Sequence, residues 1–188
     1  RGRGFPSIPG AAGKERAMGD PVLEGLTDTL VNGTMAERRE AVRRLAGRGE
    51  GAIQPLLALL RQPVGNDARW YAAVALVKIG PAAIGPLIEA VAGNDDQDFR
   101  RYVAAALGHL GEPAVAPLIE AMRDADPKMR GFLAQALCRI GGPAIPAVRS
   151  MLGSDDPVVR ECATLTLWQM GEEGIASLLS SVDEESLQ

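Results

Sequence analysis

The chain has 188 residues and a formal net charge of −4, with 20 Lys and Arg against 24 Asp and Glu. A phosphate backbone attracts basic surfaces, so this balance argues against nucleic acid as the partner. Apolar residues make up 46% and aromatic residues 4%, which predicts an aliphatic core, and no run approaches the roughly 18 to 20 apolar residues of a membrane span.

The start of the chain divides into two parts. Residues 1–19 are rich in Gly, Pro, Arg and Lys and have no apolar periodicity, which predicts a flexible segment. Residues 20–31, DPVLEGLTDTLV, combine a capping acid, a proline and apolar residues at helical spacing. This segment resembles PLIEAV at residues 86–91, so we expect a lone second helix that closes the N-terminal end of a repeat array.

A pattern of about 30 residues then recurs five times, which indicates a repeat architecture. Each copy contains an arginine, a leucine seven residues later and a glycine eleven residues later. The arginines are Arg38, Arg69, Arg100, Arg130 and Arg160, and the glycines are Gly49, Gly80, Gly111, Gly141 and Gly171. Leu and Ala at helical spacing predict a first helix, which the glycine ends because glycine adopts positive φ without steric cost.

Apolar residues four, seven and eleven positions after each glycine predict a second helix in every copy. Each unit is therefore a helical hairpin. We predict an all-α solenoid, a superhelix of antiparallel helix pairs, with one N-terminal half repeat, five full repeats and eleven helices. The repeat domain covers residues 20–183, and residues 184–188 form an acidic tail.

The units DPKMRGFLAQALCRIGGPAIPAV and DFRRYVAAALGHLGEPAVAPLIEAM resemble HEAT-like repeats of the phycobilisome (bilin) lyase type. They share an acidic residue before the first helix, an arginine, an Ala-rich run ending in Leu, a glycine turn and an apolar second helix. The resemblance spans residues 20–183 and implies the solenoid fold. It implies no single activity, because the family includes bilin lyase subunits, iron-dependent hydroxylases, alkylpurine DNA glycosylases and scaffold proteins.

Few residues of this chain suit catalysis or metal binding. The single histidine, His109, shares a column with Gly47, Lys78, Arg139 and Gln169, which is typical of the solvent-facing side of the first helix. One histidine does not supply the His-Glu pairs of the hydroxylases. Cys138 and Cys162 lack zinc-site spacing and are expected to be reduced thiols, which favours a cytoplasmic location. We predict no catalytic residue, no metal and no cofactor.

Acidic residues gather in the turns between the repeats. They are Asp95, Asp96, Asp98, Asp124, Asp126, Asp155 and Asp156. A row of carboxylates could bind a hard cation such as Ca²⁺. Acids at helix starts also cap free N–H groups and pair with the repeated arginines, and we favour this second interpretation. The arginines are accordingly predicted to form an internal ladder.

The aromatic residues allow a second alternative, a DNA glycosylase. Trp70 and Tyr71 follow one repeat arginine, and Tyr102 lies near the next. However, Tyr71, Tyr102, Phe132 and Cys162 occupy one column, which favours packing between repeats over contact with DNA.

The predicted function is protein binding. Solenoids bind partners on their concave surface, which we expect the second helices to line. Outside the packing stripe, the candidate partner-binding residues are Gln54, Arg61, Glu89, Glu120, Arg123 and Ser150. The alternative is a bilin lyase-like or other cofactor-handling enzyme subunit.

The end of the chain suggests a further contact. Residues 151–188 contain Arg160 as their only basic residue and eight acids. The last repeat has no polar capping helix after it, so we expect its apolar end to be covered by a partner protein, a second copy of the chain or further sequence beyond this end.

Overall fold

The computed structural model describes residues 20–92 and 94–185, and this part of the chain contains eleven α-helices and no strand. Helix α1 is Pro21–Asn32. The first helices of the five repeats are α2 (Met35–Gly47), α4 (Asn66–Ile79), α6 (Gln97–Leu110), α8 (Pro127–Ile140) and α10 (Pro157–Gln169). The second helices are α3 (Ile53–Arg61), α5 (Ile84–Val91), α7 (Val115–Arg123), α9 (Ile145–Ser150) and α11 (Glu172–Glu185). The predicted all-α solenoid is confirmed.

The two predicted terminal segments lie mostly outside the described residues. This applies to all of residues 1–19 and to residues 186–188. Helix α11 continues to Glu185, so it includes the first two positions of the predicted acidic tail.

Polar side chains begin most of the first helices, as the sequence predicts. Asp96 accepts from two backbone N–H groups at the start of α6, and Asp126 and Asp156 each accept from one. Thr34 forms a capping box with Glu37, in which each side chain accepts from the other residue's backbone N–H. These N–H groups have no partner inside the helix, so the caps define where it starts.

Each repeat turns at its glycine. Gly80 has φ 89° and Gly111 has φ 70°, values that side chains larger than hydrogen disfavour. The second α-helix does not follow directly. A short 3₁₀ turn comes first, as at Pro81–Ala83, where the Ala83 N–H donates to the Gly80 carbonyl at 3.0 Å.

Each of the five repeat arginines binds carbonyl groups at or just beyond the C-terminal end of the helix that precedes its own. The acceptors are the carbonyls of Val31 for Arg38, Gln62 for Arg69, Asn94 for Arg100, Met122 and Arg123 for Arg130, and Ser154 and Asp155 for Arg160. Carbonyls at a helix end lack partners inside the helix and carry partial negative charge, so a guanidinium stabilises them. The arginine ladder is therefore directed mainly at the backbone.

Ion pairs to the next repeat occur at two of these arginines. Arg38 lies 3.5 Å from Asp67, and Arg69 lies 3.6 Å from Asp98. In the following repeat the matching position holds Lys128, which pairs with Asp95 at 2.6 Å. The expected pairing between adjacent repeats is thus present but is not continuous.

Aliphatic side chains form one core along the array. The leucine of every first helix is fully buried: Leu45, Leu76, Leu107, Leu137 and Leu167. Adjacent first helices contact each other more extensively than adjacent second helices do. The first helices are also longer than most of the second helices, which gives them more length over which to pack. The expectation that the second helices line the concave surface stays a prediction.

No single helix among the described residues is long and apolar enough to cross a membrane. The pair Asn66–Ile79 and Pro81–Val91 has that length and apolar character only when taken together, and the chain bends by 118° between its two parts.

Candidate partner-binding surfaces

The six side chains predicted to contact a partner are all exposed on the second-helix layer. They are Gln54, Arg61, Glu89, Glu120, Arg123 and Ser150. Gln54 and Arg61 on α3 and Glu89 on α5 line one groove of about 230 Å³. Within the described part of the chain, Glu89, Glu120 and Arg123 make no ion pair. Their role in partner binding stays a prediction.

Two of the six residues already have contacts inside the chain. The guanidinium carbon of Arg61 lies 5.3 Å from the centroid of the Phe99 ring, and its Nη2 donates to the Ala90 carbonyl at 3.4 Å. Ser150 Oγ donates to the Ala147 carbonyl at 2.7 Å. Arg61 therefore joins its own repeat to the two that follow, and its guanidinium already has contacts before any partner binds.

Two larger grooves lie on the first-helix layer and meet at Trp70. One of about 460 Å³ lies between α2 and α4, and one of about 420 Å³ lies between α4 and α6. Trp70, Val74 and Lys78 line both grooves. Trp70 is 54% exposed, whereas the flanking Arg69 and Tyr71 are each 8% exposed. The sequence reasoning missed these grooves because it assigned the aromatic residues near the repeat arginines to packing.

One signal in the sequence marks the grooves. The position after the repeat arginine is exposed in every repeat. It holds Arg39, Arg101, Gly131 and Glu161 in four repeats and Trp70 in the remaining one. A tryptophan in a column that otherwise faces solvent is a large apolar side chain without a core to enter.

His109 lies in the groove between α4 and α6 and is exposed, as predicted. Its Nδ1 lies 2.8 Å from the Ala105 carbonyl oxygen. Because a carbonyl only accepts, Nδ1 is the donor in this contact. The column of Tyr71, Tyr102 and Phe132 is more buried, and Tyr102 Oη donates to the Asn66 carbonyl of the preceding repeat at 3.3 Å.

The last repeat exposes an apolar end face, which consists of Leu165 and Trp168 on α10 and Ile175 and Leu179 on α11. Trp168 is 64% exposed, Leu179 63% and Ile175 38%. The residue that matches Ile175 in the first repeat, Ile53, is 3% exposed. The residues that match Trp168, Ile175 and Leu179 in the earlier repeats are buried or half-buried, whereas Arg43 and Gln135 in the Leu165 column are exposed. Trp168, Ile175 and Leu179 therefore form the part of the end face on which a further helical hairpin would pack.

Cys138 does not have the surroundings of a nucleophile. Cys138 and Cys162 are unbridged, and burial raises the pKa of the Cys138 thiol, which disfavours the reactive thiolate. The Cys138 Sγ lies 3.7 Å from the Thr166 carbonyl of the next repeat. Cys138 therefore packs between repeats, as its apolar column predicts.

Five of the seven acids between the repeats bind groups of the chain through their side chains: Asp95, Asp96, Asp98, Asp126 and Asp156. Lys128 donates to Asp95, and this hydrogen bond, the main cause, holds the pKa of Asp95 below its ordinary value. Asp96 caps α6. In the part of the chain that the structure describes, no three His, Cys, Asp or Glu side chains are grouped so that they could hold a metal ion. The observed contacts are those of the capping interpretation.

Comparisons with known proteins address the fold. The HEAT repeats family matches residues 53–123 and 115–187. No curated protein matches this sequence significantly.

Solved structures that are similar to the chain include a lyase complex and two engineered proteins. The complex of CpcE and CpcF of phycocyanin lyase from Nostoc sp. PCC7120 has 24% identity and a TM-score of 0.41, with 78% of this chain and 98% of that chain covered. Two engineered proteins have 20% and 21% identity and TM-scores of 0.33 and 0.31. For the engineered protein with 20% identity, the match covers 90% of this chain and 88% of that chain. For the one with 21% identity, it covers 79% of this chain and 47% of that chain. At these TM-scores none of the three supports a conclusion about function.

The family match covers most of the chain and all the described repeats from α3 onward. The helical hairpins, glycine turns and arginine contacts recur in the same register. This chain belongs to the HEAT repeat family.

Proposed function

We propose that this chain is a scaffold or assembly subunit that binds another protein through its helical surfaces and has no catalytic activity of its own. The observation that carries the proposal is the apolar end face of Leu165, Trp168, Ile175 and Leu179. Contiguous exposed apolar surface on a folded protein typically marks a contact site. Three of its residues, Trp168, Ile175 and Leu179, occupy positions whose counterparts in the earlier repeats are buried or half-buried.

The composition of the end face suits a protein contact. Trp168 and Leu179 provide large apolar side chains, which dominate the centres of protein interfaces. Glu161 and Glu172 are exposed on the same two helices and would form a polar rim. A basic rim on the partner would complement these acids and orient the contact.

The second-helix layer provides a separate surface for the same partner. Glu89, Glu120 and Arg123 are exposed and lack ion pairs among the described residues, so they can form new pairs without breaking existing ones. The short side chains between them allow a partner helix or loop to approach closely. We propose that these charges set the register of the partner.

A mild affinity capture of the full chain from its native source tests the proposal. We expect a stoichiometric protein companion that is lost in the double variant Trp168→Glu with Leu179→Glu. The matched control is Val22→Glu with Met35→Glu, because these are also exposed apolar residues but lie at the other end of the array. Circular dichroism verifies that both double variants remain folded.

The outcomes separate the alternatives. A companion that binds both double variants equally would contradict the role of the end face, and the absence of any stoichiometric companion would contradict the scaffold function. Sedimentation velocity of the purified chain distinguishes a second copy from a different protein. A coloured small molecule in the eluate without a protein companion would replace the proposal with the bilin lyase-like alternative.

A further inference from the structure

Trp70 is an exposed aromatic side chain whose ring packs against the ring of its neighbour, Tyr71. Its ring lies 4.8 Å from that of Tyr71, with an angle of 79° between the ring planes. Tyr71 is itself buried between helices. An edge-to-face contact with a buried ring limits the rotation of Trp70, so little conformational entropy is lost when a partner covers it.

The floor of both grooves beside Trp70 is aliphatic. Val42 and Val74 line the groove between α2 and α4, and Val77 and Ala105 line the groove between α4 and α6. The two grooves share Trp70 and therefore form one surface across three first helices. Apolar side chains of a bound segment would enter the grooves on either side of the indole ring.

The rim of the grooves is basic. Arg39, Arg43, Lys78 and His109 line them, and no carboxylate does. Arg43 pairs with Glu40 at 2.8 Å, whereas Arg39 and Lys78 make no ion pair with any described residue. This local charge is opposite to the net charge of the chain, which is −4, so the surface would attract an acidic ligand.

The surroundings of the grooves favour a peptide over a nucleic acid. A nucleic acid needs a continuous basic track and several exposed aromatic rings for stacking. Here Trp70 is the one strongly exposed aromatic side chain of the two grooves. The next first-helix start carries the exposed acids Asp96 and Asp98, which would repel an extended polyanion.

We propose that the two grooves around Trp70 bind a short acidic segment of a partner protein that carries at least one large apolar side chain. This inference rests on the proposed protein-binding function and adds a recognition chemistry to it. The indole and the aliphatic floor take the apolar side chain. Arg39 and Lys78 pair with the flanking carboxylates.

The test starts with a phage-displayed library of random peptides selected against the full chain. We expect the enriched peptides to be acidic and to contain Phe, Trp or Leu. Fluorescence anisotropy of labelled selected peptides then gives affinities for three variants. Trp70→Ala should weaken binding by about 30-fold or more, the size typical of a buried aromatic anchor.

Charge reversal tests the rim. Arg39→Glu with Lys78→Glu should weaken binding about tenfold or more and reduce its salt dependence. The control is Arg44→Glu with Arg139→Glu, which changes the net charge equally on exposed first-helix residues that do not line either groove. This control should bind within about twofold of the original chain. Circular dichroism confirms that each variant is folded.

Three results would overturn the inference: no enriched peptides, enriched peptides without net negative charge, or equal weakening by both charge-reversal pairs. Tighter binding of a labelled oligothymidine than of the peptides, with loss in Trp70→Ala, would assign the grooves to nucleic acid instead. A stoichiometric companion that depends only on Trp168 and Leu179 would leave the scaffold function intact while excluding the Trp70 grooves.

Discussion

Replacing Arg69 with methionine measures how strongly the arginine ladder joins adjacent repeats. Arg69 Nη2 and Nε donate to the Gln62 carbonyl oxygen at 2.8 and 3.2 Å, just beyond the end of α3. Its Nη1 lies 3.6 Å from Asp98 of the next repeat. The Arg69→Met substitution keeps an aliphatic chain in this largely buried position but removes the charge and all the donors.

The expected loss follows from these contacts. A hydrogen bond from a charged donor contributes about 1.5 to 3 kcal/mol to stability, and two donors here share one acceptor, so we count them as one strong bond. The ion pair adds about 0.5 kcal/mol or less, because Asp98 is half exposed. We therefore expect Arg69→Met to lower the free energy of unfolding by about 2 kcal/mol.

Urea unfolding followed by far-UV circular dichroism provides the measurement. Asp98→Asn is the control for the ion pair and should cost about 0.5 kcal/mol or less. Arg160→Met removes the matching contacts to Ser154 and Asp155 at an exposed position and should cost about 1 kcal/mol. An equal loss of unfolding free energy in Arg69→Met and Asp98→Asn would refute the reasoning. The ion pair, and not the hydrogen bond to the Gln62 carbonyl, would then account for the contribution of Arg69.

Two further predictions concern helix starts and helix packing. Thr34→Ala should cost about 1 kcal/mol at neutral pH, because it removes the hydroxyl that accepts from the Glu37 N–H and donates to the Glu37 carboxylate. The Thr34 backbone and side chain hold the pKa of Glu37 below its ordinary value, so the carboxylate's part of this contribution is present above the unfolded pKa and is lost as the pH falls through the folded one. The cost should therefore be smaller in acid than at neutral pH, and an equal cost at both would contradict the reasoning. Gly131→Ala should stabilise α8 by up to about 1 kcal/mol, because an added Cβ meets no atom within 4 Å. Gly108→Ala should not stabilise the protein, since its Cβ would lie 2.7 Å from that of Arg139. Thermal unfolding of both variants tests this difference, and a stabilised Gly108→Ala variant would contradict it.

The sequence determined the repeat architecture because local signals agree in every copy. Positive φ favours glycine at each turn, capping residues mark most first-helix starts, and the spacing of Leu and Ala defines the buried stripes. These signals act over fewer than about 15 residues, the scale at which helix periodicity and capping operate. The half repeat at α1 also follows, since it copies a second helix.

The contacts between repeats could be identified only in the tertiary structure. The repeat pattern indicates that an arginine recurs but not that it reaches backward to backbone carbonyls, because the acceptor depends on where the preceding helix ends. The same limit applies to the candidate surfaces. Residue spacing defines which side chains lie outside the packing stripe, but the stacking of the repeats decides which of them already have contacts, as Arg61 does with Ala90 and Phe99.

The difference between what the sequence indicates and what the tertiary structure decides is clearest at the two exposed tryptophans. The sequence places Trp168 in an apolar column, and only the absence of a covering repeat among the described residues leaves it exposed. Trp70 lies in a solvent-facing column, and its two grooves arise from the gaps between α2, α4 and α6. The sequence thus determined the helices and their buried faces, whereas the stacking of the repeats decided which apolar side chains remain available to a partner.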